Sequence, residues 1–518
     1  MPHNGHLNSL PGFMPRRNIF LPTLCIVLLI IVWTFRLPNT RSYPYPSVDW
    51  FEPKLSSSSS SSSSLSTSSS SSSSSPSPQS SPEPSPESSS SASSSSSSSI
   101  TKHPPALQEQ KQQSLSTPSY LPSGPGNDVD LSQPDAPFVG WPLKRVCDEA
   151  TWVEGLVYIC DNNSGGIGNI RNYIQTCLRY ALEAGATGLT IPQIRKRSEK
   201  DLADLFTEFL PFNYMFDEQH FRNAFNDNCP QITLYDDVKD IPGAGKTPKI
   251  SSITPKDLGN RDGCDPNEPN KHTDRFGQTF RTWLDNEKHG PPPTKEKPRL
   301  IRFNWGIIFD WPIYRDGPEM AATFGGILKL NDKFLRMGKK TLEKMQAFAR
   351  ADGSKDGSFL GIHLRTESDA LGFWPNYDTQ SEAYLKQAQK RGYKTAYLAT
   401  GNLTEADKFI DAAIEMAQMK VVTKTDLLSD DELDELEAYS WDQQALVDYV
   451  VLLGSEFFLG VQPSSFSVHL AMKRHLKTGG LYTRPYKTGT EGDGISHIVG
   501  KFDRYWGGWL YMWDGMWP

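Results

Sequence analysis

A histidine and an arginine end the strand-like run FLGIHLRTE in the second half of the chain. Because side chains alternate along a strand, we expect His363 and Arg365 to share one face and Leu364 to be buried on the other. An arginine at the carboxyl end of a strand offers a planar fork of donors that matches phosphate oxygens. The same guanidinium could instead pair with Glu367 or Asp369. The run therefore predicts either an anion-binding site or a structural ion pair.

A glycine-rich turn, GGIGN, follows the apolar run GLVYIC in the first half of the chain. It opens a predicted helix, where backbone N–H groups can approach an anion or a ring closely. A dinucleotide-binding fingerprint needs a small residue three positions after Gly168, and that position is Arg171. The pattern argues against NAD and leaves an anion site or a plain strand-to-helix turn as alternatives.

Further candidates lie near the C-terminal end of the second half. Asp448 is on a predicted helix, where it could accept hydrogen bonds from a base or a hydroxyl, or simply face solvent. The turn VQPSSFS brings Ser464, Ser465 and Phe466 to a strand-to-helix junction. Ser464 would also make a good helix N-cap.

The elements that must position these residues alternate between strands and helices. In the first half, GLVYIC and GLTIPQI predict two strands, and the helix between them ends at Gly185, which suits a C-terminal cap. In the second half, the strands FLGIHLR, KTAYLAT, MKVVTK and EFFLGV alternate with helices predicted at 380–391, 405–418 (capped by Thr404), 441–453 and 465–475. This order predicts an α/β fold of two Rossmann-like, doubly wound domains facing one cleft.

The globular part begins near Trp141 and is long enough for two sizeable domains. We assign residues 141–299 to an N-terminal domain that includes an insertion over about 239–298. Residues 300–518 form the C-terminal domain. The C-terminal run RYWGGWLYMWDGMWP predicts a segment that packs across the two domains, with a glycan-binding surface as the alternative.

The N-terminal region predicts a membrane anchor. Residues 19–35 (IFLPTLCIVLLIIVWTF) carry no charge and reach the short end of what spans a bilayer. A cleaved signal peptide is the alternative, but no small-x-small cleavage site follows the apolar run. The serine-rich region 36–140 has almost no apolar side chains, so it predicts a disordered stem.

Together these segments predict a single-pass type II protein of the Golgi or endoplasmic reticulum membrane. Residues 1–18 would be the cytoplasmic tail and the C-terminus would be luminal. The sequons at Asn162 and Asn402 fit this compartment as candidate N-glycosylation sites.

Cysteine usage is compatible with an oxidising compartment. Beyond the apolar span, five cysteines remain. Cys147 with Cys160 and Cys229 with Cys264 are the predicted disulfides, and Cys177 is predicted to be a buried free thiol.

Net charge and metal-ligand spacing exclude two classes of partner. A net charge of −7 and a pI near 5.9 argue against nucleic acid, because proteins that bind its phosphate backbone need a basic surface. The only Asp-x-Asp, at Asp128 and Asp130, lies in the predicted stem, and no His/Asp/Glu cluster has metal-ligand spacing. We therefore expect neither a nucleic acid partner nor a metal cofactor.

Three motifs, in their order and spacing, resemble the GDP-fucose protein O-fucosyltransferases. They are GGIGN opening a βαβ unit, GIHLRTE in mid-chain, and DYVVLLGSEFFLGVQPSSFSVHLAMKRH near the end. The resemblance covers about 155–191 and 300–476. It implies a GT-B fold, GDP-fucose as the donor, no metal, inversion of the sugar anomer, and a protein or glycan hydroxyl as the acceptor.

The resemblance also implies roles for individual residues. Arg365 would stabilise the leaving phosphate and would be catalytic together with Asn169. The turn that closes over donor and acceptor would consist of Gly166, Ile167, Gly168 and Asn169. The remaining donor-binding residues would be His363 and Leu364 at the pyrophosphate, and Asp448, Ser464, Ser465 and Phe466 towards the nucleoside and β-phosphate.

No catalytic base is assigned. Some family members carry a glutamate just before the glycine-asparagine turn, and this chain has Gly166 there. Asn169 would then only orient the acceptor, or the proton would leave through water or the phosphate. Glu367 is a distant candidate.

Departure of GDP leaves negative charge on a phosphate, and Arg365 could stabilise it where other folds use a divalent cation. We therefore expect fucosyl transfer to a hydroxyl of Ser or Thr. The alternatives are transfer from another nucleotide-deoxysugar or to a glycan, and a nucleotide-sugar or glycan-binding protein without turnover.

Overall fold

The computed structural model describes residues 129–254, 258, 271–304, 309–370, 372–478, 493–505 and 507–518. The predicted cytoplasmic tail and anchor, and most of the stem, lie outside these ranges. Within them, no helix combines the length and the apolar character that a membrane span requires. The anchor at 19–35 therefore stays a prediction.

Twelve strands occur in the described part of the chain. They are β1 (Val153–Ile159), β2 (Ala186–Thr190), β3 (Ile194–Lys196), β4 (Glu208–Leu210), β5 (Thr233–Tyr235), β6 (Ile250–Ile253), β7 (Arg299–Phe303), β8 (Leu360–His363), β9 (Thr395–Ala399), β10 (Lys420–Val422), β11 (Phe457–Val461) and β12 (Ser496–Val499).

The α-helices of the described ranges connect and cover these strands. They are α1 (Trp141–Glu149), α2 (Ile167–Ala184), α3 (Glu218–Asn228), α4 (Lys271–Leu284), α5 (Pro318–Thr323), α6 (Asp332–Ala351), α7 (Tyr377–Arg391), α8 (Leu403–Ala417), α9 (Lys424–Leu427), α10 (Asp431–Glu437), α11 (Trp441–Leu453), α12 (Ser465–His475) and α13 (Met512–Gly515).

Ten of the strands form two parallel sheets. The first sheet has the order β5-β2-β1-β7-β6 and the second has the order β10-β9-β8-β11-β12. Every neighbouring pair within them is parallel, whereas β3 and β4 form an antiparallel hairpin. Parallel neighbours require crossover connections, which the helices supply. The predicted pair of parallel α/β halves is confirmed.

Helix α2 begins where the predicted glycine turn ends. Gly166 is its extended N-cap, and Gly185 ends it in the left-handed conformation with φ of 79°. A Cβ atom on Gly185 would lie 2.0 Å from the carbonyl oxygen of Thr151, so a side chain does not fit there. The helix contacts β2 and α4 in the first half and α11 and α12 in the second. It is therefore buried on nearly all sides.

The domain boundary predicted between residues 299 and 300 is wrong. Strand β7 starts at Arg299 and pairs with both β1 and β6 in the first sheet. Strand β6 lies inside the region predicted to be an insertion, so part of that region completes the first sheet. The pairing partners are far apart along the chain, so local residue patterns did not predict this pairing.

The predicted disordered stem also extends too far. Residues 129–140 belong to the described structure, and Leu131 and Val139 are buried in a small cluster with Ala322 and Leu476. This part of the region 36–140 therefore packs against the folded halves, and only the rest of the stem stays a prediction.

The C-terminal segment packs across the molecule, which favours packing over the glycan-binding alternative. The indole N–H of Trp513 donates to Gln462 at the end of β11, at 2.7 Å. Trp517 is buried and packs edge-on against Phe324, with ring centroids 5.1 Å apart. A Cβ atom on Gly515 would lie 2.6 Å from the backbone of Phe309. The segment thus joins the second sheet to the connection between the sheets.

Both predicted disulfides are wrong. Cys147 pairs with Cys229, which ties α1 to the end of α3, and Cys160 pairs with Cys177, which ties the end of β1 to α2. Cys177 is therefore not a free thiol, and Cys264 lies outside the described residues. Pairing follows spatial proximity between elements, which spacing along the chain did not reveal.

Two local predictions also change. Helix α8 is capped by Asn402, whose side-chain oxygen accepts from the backbone of Glu405, and not by Thr404. Asn162 is only 7% exposed, so its side chain has no room for a glycan in this fold. Asn402 is partly exposed and stays a candidate sequon.

Candidate active site

The second sheet reverses its strand order between β8 and β11. From β8 the chain moves outward to β9 and β10 on one side, then returns to β11 and β12 on the other. Ligands of doubly wound proteins bind at the carboxyl ends of the strands that flank such a switch point. His363 ends β8, and the Ser464–Phe466 turn follows β11. The topology therefore brings these two predicted groups together.

The glycine turn of the first half contacts this switch point directly. A Cβ atom on Gly168 would lie 2.7 Å from the carbonyl carbon of Ser465 and 2.8 Å from its hydroxyl oxygen. Glycine is needed here because the two backbones approach closely. We call this contact, between residues 165–169 and the start of α12, the seam.

Arg365 forms the ion pairs that were the alternative to an anion site. Its Nη1 lies 2.6 Å from Oε2 of Glu367 and its Nη2 lies 2.7 Å from Oδ1 of Asp369. Its guanidinium also lies over the ring of Trp374, 5.4 Å from the centroid. The side chain remains 11% exposed, so the two interpretations are compatible: the fork is occupied by carboxylates that a phosphate could replace.

A second arginine, which the sequence analysis missed, reaches the same carboxylate from the first half. Arg197 follows β3, and its Nη1 donates to Oδ2 of Asp369 at 2.9 Å. A Cβ atom on Gly166 would lie 3.8 Å from Nη2 of Arg197, which brings this arginine to the seam. Asp369 therefore lies between one arginine from each half. The available signal was the basic run IRKR, just beyond the carboxyl end of β2.

Arg197 also contacts Asp442 in the first turn of α11. Its Nε lies 3.3 Å from Oδ1 of Asp442, but neither atom makes an aligned hydrogen bond. Burial raises the pKa of Asp442 to about 6; Arg197 opposes that rise, while the charges of Asp369 and Glu199 add to it. We call Arg197, Arg365, Glu367, Asp369 and Asp442 the seam cluster.

Glu367 is a poor candidate for a base. One of its carboxylate oxygens accepts from Arg365 and from the backbone of Thr366, and the other accepts from the backbone of Gly401 at 2.7 Å. Burial acts to raise its pKa, but Arg365, His363 and the Gly401 N–H outweigh burial and hold the pKa below the usual value. The position of Asn169, partly exposed in the first turn of α2, suits a role in orienting an acceptor.

His363 is held as a neutral side chain. Its Nδ1 lies 2.7 Å from the hydroxyl of Ser467, which also accepts from the backbone of Val461 at 3.1 Å. Its ring packs against Phe466 with centroids 4.7 Å apart. Burial lowers the pKa of His363 to about 4. His363 thus fixes the turn that carries Ser465 and Phe466, and Leu364 is fully buried beyond it.

Two other predicted residues have clear structural partners. Ser464 is the N-cap of α12, as expected, and accepts from the backbone of Ser467 at 3.5 Å. Asp448 is buried; Tyr397 donates to one of its oxygens at 2.6 Å, and Lys424 lies 2.9 Å from the other. Asp448 therefore serves as the counter-ion of Lys424, and its contact with a nucleoside stays a prediction.

The described ranges contain no group of three or more His, Cys, Asp or Glu side chains arranged to hold a metal ion. The charges that converge on the seam are two guanidinium groups and three carboxylates. Such a set can bind an anionic ligand by exchange, with a phosphate replacing a carboxylate on the arginines.

Two doubly wound sheets, with Arg197 from the first half and Arg365 from the second half sharing Asp369, define the class of this protein as α/β with two similar halves. The family model described as GDP-fucose protein O-fucosyltransferase matches residues 156–477, more than half of the chain. The chain belongs to this family, and it is a fucosyltransferase that uses GDP-fucose. This match extends from within β1 to just beyond the end of α12, so it covers the first sheet almost completely and the second sheet except β12.

Three solved structures illustrate the similarity. POFUT1 in complex with GDP is 14% identical to this chain, with a TM-score of 0.38. The match covers 68% of this chain and 100% of that chain. POFUT1 in complex with GDP-fucose gives the same identity and score over 68% of this chain and 99% of that one. The fucosyltransferase NodZ from Bradyrhizobium is 15% identical over 62% of this chain and 92% of its own, with a TM-score of 0.32. Comparison with curated proteins finds no match.

Proposed function

We propose that the protein transfers fucose from GDP-fucose to the hydroxyl of a serine or threonine in a protein acceptor, with inversion and without a metal. In this proposal the two halves are arranged as in GT-B glycosyltransferases and the donor binds at the seam. The observation that carries it is the sharing of one carboxylate, Asp369, by an arginine from each half.

The seam cluster supports recognition of a pyrophosphate. A carboxylate that accepts from two guanidinium groups occupies the geometry that a phosphate oxygen pair also satisfies. Displacement of Asp369 by the donor would leave Arg197 and Arg365 on opposite sides of the pyrophosphate. The hydroxyl of Ser465 and the N-terminus of α12 supply further donors at the same place.

The chemical step follows from this arrangement. The bond between the anomeric carbon and the β-phosphate oxygen breaks, its electron pair stays on the phosphate, and the acceptor oxygen bonds to the opposite face of the sugar. Arg365 stabilises the charge that develops on the departing phosphate, the largest requirement of such a step. Asn169 orients the acceptor hydroxyl, and the proton leaves to water or to the phosphate.

The first experiment measures donor choice on the full-length protein. Ligands that bind the native state raise the melting temperature, so GDP and GDP-fucose should raise it and UDP-sugars should not. Release of GDP, followed with a protein acceptor, then reports turnover. The variant Arg336→Lys should respond to these ligands as the wild type does, because this arginine is 65% exposed and pairs with Glu435 away from the seam cluster. A response to UDP-sugars equal to that to GDP-fucose would refute the proposed donor.

Metal independence is tested separately. We expect turnover to persist in EDTA, because arginine and backbone donors carry the charge that a cation would neutralise. Loss of activity in EDTA that is restored by Mn²⁺ would refute this part of the proposal.

We also propose that the protein is anchored in the Golgi or endoplasmic reticulum membrane by residues 19–35, with its C-terminus in the lumen. The support is the charge-free apolar run and the two disulfides, which suit an oxidising compartment. Carbonate extraction and protease protection in microsomes test it. A chain released by carbonate, or a C-terminus digested without detergent, would contradict it.

A further inference from the structure

A second group of buried cations surrounds a small cavity beside helix α12. The cavity has a volume of about 30 Å³ and lies beneath the segment 131–139. Arg171 from α2, Tyr449 from α11 and Lys473 from α12 line it. We call it the α12 cavity. It is separate from the seam cluster, none of whose members lines it.

Lys473 is buried in this cavity without a partner. Lys473 is 8% exposed. Within the described ranges, its ammonium group makes no hydrogen bond and no ion pair. The hydroxyl of Tyr449, which is 7% exposed, likewise has no hydrogen-bond partner within those ranges. A buried polar group without a partner is costly. On the same cavity wall, the Nε of Arg171 is fully buried and has no partner within the described ranges, so the wall calls for an acceptor that the described protein does not provide.

The charge balance around the cavity is one-sided. The charged residues that line it are Arg171, Lys329 and Lys473, and no described carboxylate lines it. Lys329 is neutralised by Asp217 and Asp332 at 3.1 and 2.8 Å. Within the described ranges, Arg171 and Lys473 have no such counter-ion.

The nearby polar groups do not change that balance. Arg171 donates to the carbonyls of Leu328 and Gly325 at 2.5 and 2.8 Å, but within the described ranges its buried Nε has no hydrogen-bond partner and its charge is not compensated. Asp130 acts on Lys473 only at a distance, because its oxygens accept from Ser132 and Gln133. Burial and the charge of Arg171 together lower the pKa of Lys473 to about 7.

We propose that the α12 cavity binds a monatomic anion of the size of chloride, held by the ammonium group of Lys473 and the hydroxyl of Tyr449. Arg171 supplies the second positive charge. The cavity volume of about 30 Å³ supports an anion of this size. A single water molecule needs roughly 10–15 Å³ of cavity volume, and an oxyanion with four oxygens needs several times as much. This inference does not depend on the proposed transferase function.

An anion in this cavity would stabilise the packing behind the seam. Arg171 lies two residues after Asn169 on α2, and Lys473 lies on the helix that begins with Ser465 and Phe466. The ring of Tyr449 packs against Phe466 with centroids 6.1 Å apart. The same anion therefore contacts α11 and α12 and faces α2, so its binding should raise the stability of the whole described fold.

The experiment compares chloride with gluconate, an anion too large for the cavity, at constant ionic strength. The melting temperature of the full-length protein should rise with chloride and with bromide, and the rise should saturate. Lys473→Met should abolish this halide-dependent rise, and Lys340→Met, on the exposed face of α6, should keep it. Equal melting temperatures of the wild type in chloride and gluconate would overturn the proposal.

A second variant keeps the test decisive if Lys473→Met does not fold. Tyr449→Phe removes one donor and should raise the half-saturating chloride concentration about tenfold, the effect of one hydrogen bond. Crystals soaked in bromide should show an anomalous peak within hydrogen-bond distance of Nζ of Lys473. An unchanged half-saturating concentration in Tyr449→Phe, or a halide response that survives Lys473→Met, would overturn the proposal.

Discussion

Two clusters of buried cations border helix α2, and they differ in their counter-charges. At the seam, Arg197 and Arg365 share Asp369, and each contacts a further carboxylate. In the α12 cavity, Arg171 and Lys473 have no carboxylate at ion-pair distance within the described ranges. Each cluster contains two buried cations, because Lys329, the third cation at the cavity, is partly exposed and paired with Asp217 and Asp332. The carboxylates beside the buried cations are therefore what distinguishes the clusters.

The difference indicates how each cluster binds an anion. Where carboxylates already satisfy the arginines, an incoming phosphate must displace one of them, and binding is an exchange between similar partners. Where no carboxylate is present, a bound anion meets a charge that burial has left uncompensated. We therefore expect the seam to release its ligand readily, as turnover requires, and the cavity to hold its anion as part of the structure.

The largest expected effect is on the free energy of unfolding, when one cation is removed from each cluster in turn. Arg197→Met leaves Asp369 and Asp442 with less compensation, and breaking a buried ion pair costs about 3–5 kcal/mol of stability. Lys473→Met removes a charge that has no partner in the described part of the chain and should cost less than about 1 kcal/mol in chloride-free buffer. Urea unfolding measures both. Equal destabilisation by the two variants would remove the distinction between the clusters.

The next effect concerns turnover at the seam. Arg365→Lys keeps the charge but loses the fork that holds two partners at once, and loss of one preorganised donor at a developing anion costs about 10²–10³ in rate. We expect kcat to fall by that factor with an unchanged circular dichroism spectrum, and Arg365→Ala to lose nearly all turnover. Arg336→Lys should leave kcat unchanged. Full turnover in Arg365→Lys would show that Arg365 is only a structural ion pair.

A smaller effect is expected from pH. Burial raises the pKa of Asp442 from 3.8 to about 6 in the folded protein, so the folded state retains a proton that the unfolded chain has lost. The stability that this proton provides is present at low pH and is lost as pH rises from about 4 through 6, by at most about 3 kcal/mol.

Asp442→Asn tests this pH dependence, because asparagine does not titrate. Its free energy of unfolding relative to the wild type should improve as pH rises from 4 to 7. Asp316→Asn is the matched contrast. Asp316 is buried, and Arg179 and Trp311 hold its pKa below the usual value. The loss of unfolding free energy in Asp316→Asn, relative to the wild type, should therefore stay constant above pH 4. A constant difference for Asp442→Asn would contradict the assignment.

The smallest effect tests the exchange itself. Asp369 competes with the donor for Arg197 and Arg365, so Asp369→Asn should tighten GDP binding by about 1 kcal/mol, roughly fivefold in Kd. Isothermal titration calorimetry measures the change. Asp237→Asn, at the partly exposed N-cap of a short helix, should leave the Kd unaltered. Weaker GDP binding in Asp369→Asn would indicate that the carboxylate helps to hold the ligand.

Much of the local structure could be predicted from the sequence. The helices α11 and α12 begin and end at the predicted residues 441–453 and 465–475, because apolar spacing and the serine caps that precede them act within one or two turns. The strands that precede GGIGN and the His363–Arg365 pair were found for the same reason. The three motifs that carry the family resemblance are local as well.

Features that depend on contacts between distant segments could not be predicted from local sequence patterns. The pairing of Cys147 with Cys229 and of Cys160 with Cys177 depends on which helices and strands lie side by side. Strand β7 was assigned to the wrong domain because its pairing with β1 is not encoded in its own residues. Arg197 was missed because its importance comes from a partner in the other half.

The sequence by itself determined the alternation of strands and helices, the glycine turn and the placement of Arg365 at a strand end. These follow from steric and hydrogen-bonding preferences that neighbouring residues satisfy among themselves. Only the tertiary structure decided that Asp369 lies between two arginines and that Lys473 has no counter-ion among the described residues. Electrostatic energy depends on distance in space and on burial, and the folding of the two halves against each other sets both.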